Sequence, residues 1–274
     1  MLTFIGLGLY DERSITVEGR DALRNADRAF IEQYTSRLVG TDLETLETEH
    51  GVGIELRDRA GVEGDPEAIL SAAETESVAF LTAGDPMIST THVDLRLRAA
   101  DRGIDTRIVH GTTAEAAASS LTGLQNYRFG PATTLPFPYA HGAEGLPASV
   151  TNTIDENRKR GLHTLVYLDI KVGGSPTGNR NVRRSGDKSD RDEYMTADVA
   201  AGLLAAEYPE TLAVAVCRAG SREPLVVADS LSALATREFG EPLHLLVIPG
   251  NLHHIESEAL RAFAGAPETL APLE

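Results

Sequence analysis

Cysteine occurs once among 274 residues, at Cys217. A single thiol closes no internal disulfide and builds no multi-cysteine metal site, so the chain reads as a protein of a reducing compartment. Its setting in the apolar run 212–217 marks a buried core thiol rather than a nucleophile. Lysine is nearly as scarce, with Lys159, Lys171 and Lys188 the only three. No apolar run approaches the roughly 18–20 residues of a membrane span. The opening MLTFIGLGLYDER lacks the basic region and cleavage site of a secretory signal. These absences predict a cytoplasmic protein without a membrane partner.

Acidic residues, by contrast, are abundant: 41 Asp and Glu against 25 Lys and Arg give a net charge of −16. Phosphate binding needs clustered positive charge, which argues against nucleic acid as a partner. An acidic surface with arginine in place of lysine is similar to that of proteins from salt-loving archaea, where molar salt shortens the screening length to about 3 Å and crowded carboxylates repel one another less. The same balance also suits an ordinary acidic protein encoded by a GC-rich genome.

The length suits two domains, and 42% apolar residues are enough to fold them. In the first half, strand and helix signals alternate as in a parallel α/β sheet. Strands are expected at 2–9, 29–34, 52–56, 78–82 and 106–109, and helices at 16–26, 66–73, 90–102 and 114–121. A stretch rich in Gly, Pro and aromatics, 123–147, marks the passage to a second domain, giving domains 1–122 and 123–274. The second has strand signals at 163–170, 212–217, 225–227 and 243–248, and helix signals at 149–160, 197–207, 231–239 and 255–263. Residues 173–192 are charged, glycine-rich and aperiodic, and read as a loop. The expected fold class is α/β, in two α/β domains.

Two turns carry the candidate chemistry. Gly6-Leu7-Gly8 follows the first strand, where glycines let backbone amides approach a ligand. The third glycine of a dinucleotide fingerprint is missing, since Asp11 stands there, so a nicotinamide enzyme is disfavoured and a purely structural turn stays open. Gly84-Asp85-Pro86 ends another strand, and ligands of open α/β sheets bind outside such ends. It is equally readable as an ordinary Asp-Pro turn. His253-His254 invites a metal reading, but adjacent side chains diverge and no Asp or Glu completes a zinc spacing, so no metal is expected.

Longer strings are more specific. GLGL with Asp11 and Ile15-Thr16, Glu32 with Tyr34-Thr35-Ser36, LTAGDPMISTTHVDLRLRA at 81–99, TGLQNYRFG at 122–130 and GLHTLVYLDIKV at 161–172 occur in order. Tyr194-Met195-Thr196, Arg218-Ala219-Gly220-Ser221, Pro242-Leu243-His244 and Pro249-Gly250-Asn251-Leu252-His253 continue the series. Across almost the whole chain this resembles the diphthine synthase family of the tetrapyrrole methylase superfamily.

The resemblance implies S-adenosylmethionine in a cleft between the two domains, with contacts at Leu9, Asp85, Ile88, Thr113, Ala114, Leu168, Ala219 and His244. Several would act through backbone atoms, since alanine has no polar side chain. Thr113-Ala114 departs from the family's serine-plus-aliphatic pair, keeping a hydroxyl and losing apolar contact, and 173–192 departs as well. On its residues alone, His244 reads as a hydrogen-bonded histidine starting a core strand.

The resemblance further implies a homodimer that methylates the amino group of a 3-amino-3-carboxypropyl chain on a histidine of translation elongation factor 2. Such chemistry asks for positioning more than for a catalytic triad, and none stands out. Tyr127 or Phe129 are candidates for an aromatic wall around the growing ammonium. The shared fold leaves open a methyltransferase of corrinoid precursors and a non-catalytic S-adenosylmethionine-binding protein.

Overall fold

The computed structural model describes residues 1–35, 37–140, 145–171 and 192–271. Ser36 and residues 173–191 of the expected loop lie outside them. The described residues divide into two compact units, 1–113 with 192–193, and 114–171 with 194–271.

In the first unit β1 (Leu2–Gly6), α1 (Val17–Arg24), β2 (Arg28–Glu32), α2 (Leu43–His50), β3 (Ile54–Arg57), α3 (Glu67–Thr75), β4 (Val78–Thr82), α4 (Val93–Asp101) and β5 (Thr106–Val109) follow in order. All five strands are parallel, in the order β3-β2-β4-β1-β5. β1 and β4 are buried along their whole length, as expected when helices cover both faces. Successive side chains point to opposite faces. Phe4, Phe30 and Phe80 therefore pack against Ile69, Leu70 and Leu95 of α3 and α4. Ile5, Ile31 and Leu81 face Leu23 and Leu46 of α1 and α2. Each fully buried side chain of this size contributes about 1.5–3 kcal/mol.

The helices begin where polar caps allow. Thr16 accepts the Gly19 N–H at 3.0 Å to start α1, and Asp42 accepts the Thr45 N–H at 2.8 Å to start α2. The helix α2 was not anticipated from the sequence. Its eight residues are polar apart from Leu43 and Leu46, and only Leu46 and His50, one turn apart, are buried.

The second unit contains α5 (Ala114–Thr122), β6 (Thr133–Leu135), α6 (Ala148–Lys159), β7 (Thr164–Leu168), α7 (Ala197–Ala205), β10 (Leu212–Cys217), β11 (Leu225–Ser230), α8 (Leu231–Leu234), β12 (His244–Ile248) and α9 (His254–Ala264); between β7 and α7 in sequence, β8 (Ile170–Lys171) and β9 (Glu193–Tyr194) form a separate two-stranded ladder. The main sheet runs β11-β10-β12-β7-β6 and is antiparallel except for β6 with β7. Ala213, Ala215 and Cys217 face α6, α7 and α8, while Val214 and Val216 face α5 and α9. Burial pushes the Cys217 thiol up to about 12, so it is an inert core group.

One sequence expectation shifts here. Helix α5, expected in the first domain, packs in the second unit, because Ala118 and Leu121 join the cluster of Leu260 and Ala264 from α9.

Candidate functional site

Parallel strands bring their carboxyl ends to one edge of a sheet. In the first unit the chain leaves β1 toward β2 on one side, whereas the chain leaving β4 crosses over to β5 on the other. At this divergence the backbones of the three strand ends come into direct contact. A Cβ on Gly111, just beyond β5, would lie 2.2 Å from the Gly84 carbonyl oxygen and 2.8 Å from the Gly6 carbonyl carbon. One on Gly6 would lie 2.5 Å from both Gly111 N and Gly84 O. Gly8 and Gly84, at φ 73° and 75°, exchange backbone hydrogen bonds of 3.2 and 2.7 Å. The glycines singled out in the sequence thus serve close strand approach, and Gly111 completes them. Its position two residues beyond the end of the strand 106–109 was the available signal.

Asp85 sits in this edge, 4% exposed. Its Oδ1 accepts the Met87 N–H at 2.9 Å, and its Oδ2 accepts the Gly111 N–H at 3.3 Å and lies 2.7 Å from Nδ1 of the exposed His110. The carboxylate therefore fixes two loops and is turned into the protein. Ile88 is 45% exposed, while Leu9 and Thr113 are half-buried. The Leu9 carbonyl accepts the Asp11 N–H at 3.1 Å and the Ser14 hydroxyl. All four lie on the loops at the carboxyl ends of β1, β4 and β5.

In the second unit, Leu168 ends β7, Ala219 follows β10 and His244 begins β12. Because β12 is antiparallel to both neighbours, these positions share one end of the sheet, with Cys217 opposite His244 and Tyr167 opposite Leu245. Ala114 is the half-buried first residue of α5. The His244 ring is fully engaged. Nδ1 accepts the Ala197 N–H at 3.1 Å, so Nε2 carries the proton and donates to the Glu241 carbonyl at 2.8 Å. Burial holds its pKa below the usual histidine range. Any ligand contact at His244 therefore comes from its backbone.

A second buried polar group lies in this unit. Glu256, fully buried, accepts from the Gln125 N–H at 2.9 Å, His163 Nε2 at 3.0 Å and the His253 N–H at 2.8 Å, and pairs with Arg128 at 3.1 Å. His163 Nδ1 accepts the Gly250 N–H at 3.0 Å. His253 caps α9, accepting the Ile255 N–H, which is the use found for that half of the His253-His254 pair. Among the described residues no cluster of three or more His, Cys, Asp or Glu could hold a metal ion. Phe129 packs edge-on against His163 at 5.3 Å between ring centres, whereas Tyr127 projects outward, 78% exposed.

Residues 1–235 match the family described as Tetrapyrrole (Corrin/Porphyrin) Methylases. The chain is 69% identical to a diphthine synthase of Halorubrum lacusprofundi, over 98% of this chain and 99% of that one. It is 65% identical to a diphthine synthase of Natronomonas pharaonis, over 99% of each. A crystal structure of a diphthine synthase superposes with a TM-score of 0.86 at 36% identity, covering 100% of this chain and 99% of the other. The chain belongs to the diphthine synthase family. It is a methyltransferase of the tetrapyrrole methylase fold, and its diphthine synthase relatives include haloarchaeal proteins, in keeping with the acidic composition. No helix among the described residues is long and apolar enough to cross a membrane.

Within this diphthine synthase fold, the strand-end glycines form a wall without side chains. Nothing described lies within 4 Å of where a Gly84 Cβ would be. Open backbone of this kind suits a nucleoside-bearing methyl donor, which needs close approach of amides and carbonyls. Behind the wall, sequence reading missed a buried pair. Glu32, at the end of β2, and His92, just before α4, are each 1% exposed and lie 3.9 Å apart. Burial lowers the pKa of His92, and burial followed by the Glu32 charge raises that of Tyr34. Both residues lie inside the family-like strings, but no periodicity distinguishes a buried histidine from an exposed one.

Proposed function

We propose that the methyl donor is S-adenosylmethionine and that the acceptor is the amino group of the 3-amino-3-carboxypropyl chain on a histidine of translation elongation factor 2, methylated repeatedly to diphthine. The observation that carries this reading is the 69% identity, nearly end to end, with a protein named diphthine synthase. The glycine wall at Gly6, Gly84 and Gly111 supports the donor half of it.

The residues that would hold the donor are Leu9, Asp85, Ile88 and Thr113 of the first unit, and Ala114, Leu168, Ala219 and His244 of the second. When bound, the donor supplies a methyl carbon made electrophilic by a neighbouring sulfonium. The chain's part is positional. Asp85 locks the Met87 and Gly111 amides, so the loops after β4 and β5 keep one shape. The His244 ring pins the chain entering β12, leaving its backbone to meet a ligand. Orientation of a neutral amine in line with the methyl group, together with exclusion of water, provides the rate enhancement. Repeated transfer needs room for a bulkier ammonium, and exposed Tyr127 is a better candidate for a movable aromatic wall than core-packed Phe129. We also propose a cytoplasmic homodimer with no metal and no nucleic acid partner.

The test is radiolabelled methyl transfer from S-adenosylmethionine, in molar potassium chloride, onto elongation factor 2 with and without the 3-amino-3-carboxypropyl group. Label is expected only on the modified factor. Label on the unmodified histidine would overturn the substrate assignment, as would label on corrinoid precursors instead, or donor binding with no transfer to any acceptor.

A further inference from the structure

His92 does more than fill the core behind the strand ends. Its Nδ1 lies 3.1 Å from the Pro86 carbonyl oxygen, which can only accept, so Nδ1 carries the ring proton. Nε2 is then an acceptor. It is buried with no hydrogen-bond partner among the described residues, and Glu32 Oε1 lies 3.9 Å from it. Glu32 spends its carboxylate on the Tyr34 and Thr35 N–H groups, at 2.9 and 3.0 Å, and on the Thr35 hydroxyl. The imidazole is wedged edge-on against Phe80, 5.1 Å between ring centres, and against Tyr34 at 6.5 Å.

A leucine would fill this space without leaving a ring nitrogen unpaired, so core packing alone does not account for a histidine. What an apolar residue could not do is hold the Pro86 carbonyl. That carbonyl lies in the middle of the turn running from Asp85 to Ile88, and it also accepts the Thr90 hydroxyl at 3.1 Å, while Thr90 Oγ1 receives the His92 N–H at 3.2 Å. Two donors from the segment leading into α4 therefore converge on one oxygen of the turn.

We infer that His92 is a positioning residue, whose Nδ1–H grips the Pro86 carbonyl and so holds the Asp85–Ile88 turn in the shape that receives the methyl donor. This rests on the reading that the turn contacts S-adenosylmethionine. Glu32 lies on the far side of the ring without a hydrogen bond to it, its carboxylate held instead by the loop after β2.

Three substitutions separate gripping from filling. His92→Asn keeps an N–H near Nδ1, His92→Gln offers its amide near Nε2, and His92→Leu fills the space with neither. Calorimetric titration with S-adenosylhomocysteine in molar potassium chloride is expected to give the Asn variant an affinity within about threefold of wild type, and the Leu and Gln variants about tenfold weaker binding, the loss of one hydrogen bond. In transfer assays KM for the donor should rise in the Leu and Gln variants with kcat little changed, while the Leu variant melts no lower than the Asn variant. Equal weakening in all three, or losses that follow melting temperature, would overturn the inference. Should the His92 variants not fold, Thr90→Val at its half-buried position removes the other grip and should weaken binding about threefold; unchanged affinity there would count against the proposal. Failure of the wild-type chain to bind S-adenosylhomocysteine would instead remove the donor reading, and this inference with it.

Discussion

Asp85 and Gly111 stand 26 positions apart, yet the Asp85 carboxylate accepts the Gly111 amide at 3.3 Å and ties the end of β4 to the end of β5. Removing that carboxylate leaves two half-buried N–H groups, of Met87 and Gly111, without their acceptor. Asp85→Ala is therefore expected to cost about 1–3 kcal/mol of stability, too little to unfold the chain, and to weaken S-adenosylhomocysteine binding tenfold or more, roughly. Calorimetry paired with a thermal melt checks both parts; wild-type affinity in a folded variant would remove Asp85 from the donor site.

Gly111→Ala should be far more damaging than its size suggests. The new methyl would meet only backbone, the Gly84 oxygen at 2.2 Å and Gly6 at 2.8 Å, so no side chain can swing aside. A loss of about 3 kcal/mol or more is expected, with donor binding abolished. Gly103→Ala is the control: its φ is 71° and the space around it is open, so only backbone strain of about 1–2 kcal/mol applies. Similar melting temperatures for the two variants would mean that the strand ends can separate.

Acidification should destabilise the fold from about pH 6.5 downward. Burial lowers the pKa of His50, His92, His163 and His244. The unfolded chain, whose histidines titrate near the ordinary value of about 6.5, then binds more protons than the folded one. Stability is thus fully present above that value and is lost as pH falls toward the lower folded values, by up to about 1.4 kcal/mol per pH unit for each histidine. Melting temperatures from pH 8 to 5 at constant salt measure this. His163→Gln, which removes one buried ring, should flatten the profile; a slope unchanged in that variant would show that the ring takes up no proton on unfolding.

Salt dependence follows from the charge of −16. As potassium chloride falls from molar to about 0.1 M, the screening length grows from about 3 Å to about 10 Å and surface carboxylates begin to repel across it. Loss of far-ultraviolet ellipticity and of activity is expected over that range. A melting temperature independent of salt would contradict it.

The parallel sheet of the first unit was legible because its strands are short apolar runs ended by glycine or Asp-Pro turns, and 78–82 and 106–109 coincide with β4 and β5. Helix α2 was not, since a helix that buries only Leu46 and His50 has too narrow an apolar stripe to register. Strand β6 escaped for a related reason: three residues, Thr133–Leu135, show no period. At the candidate site the glycines announced a close approach without saying to what. Their partners are one another, and such contacts depend on which strands become neighbours, a property of topology rather than of local sequence. Glu256 was hidden for the same reason, since its hydrogen-bond partners Gln125 and His163 lie on other elements; His92 was hidden because nothing local marks a ring that turns back onto the Pro86 carbonyl of its own loop.

Cys217 has a practical consequence. It is the sole thiol of the chain, fully buried, with its pKa pushed up to about 12, so the thiolate that reacts with maleimides is scarce at neutral pH and shielded when present. A cysteine introduced at an exposed position such as Tyr127 would be the only reactive handle in the native protein. Fluorophores or spin labels could then be attached at a single chosen point without first deleting the natural cysteine from the core, and distances between pairs of such points could be followed as donor and protein substrate are added.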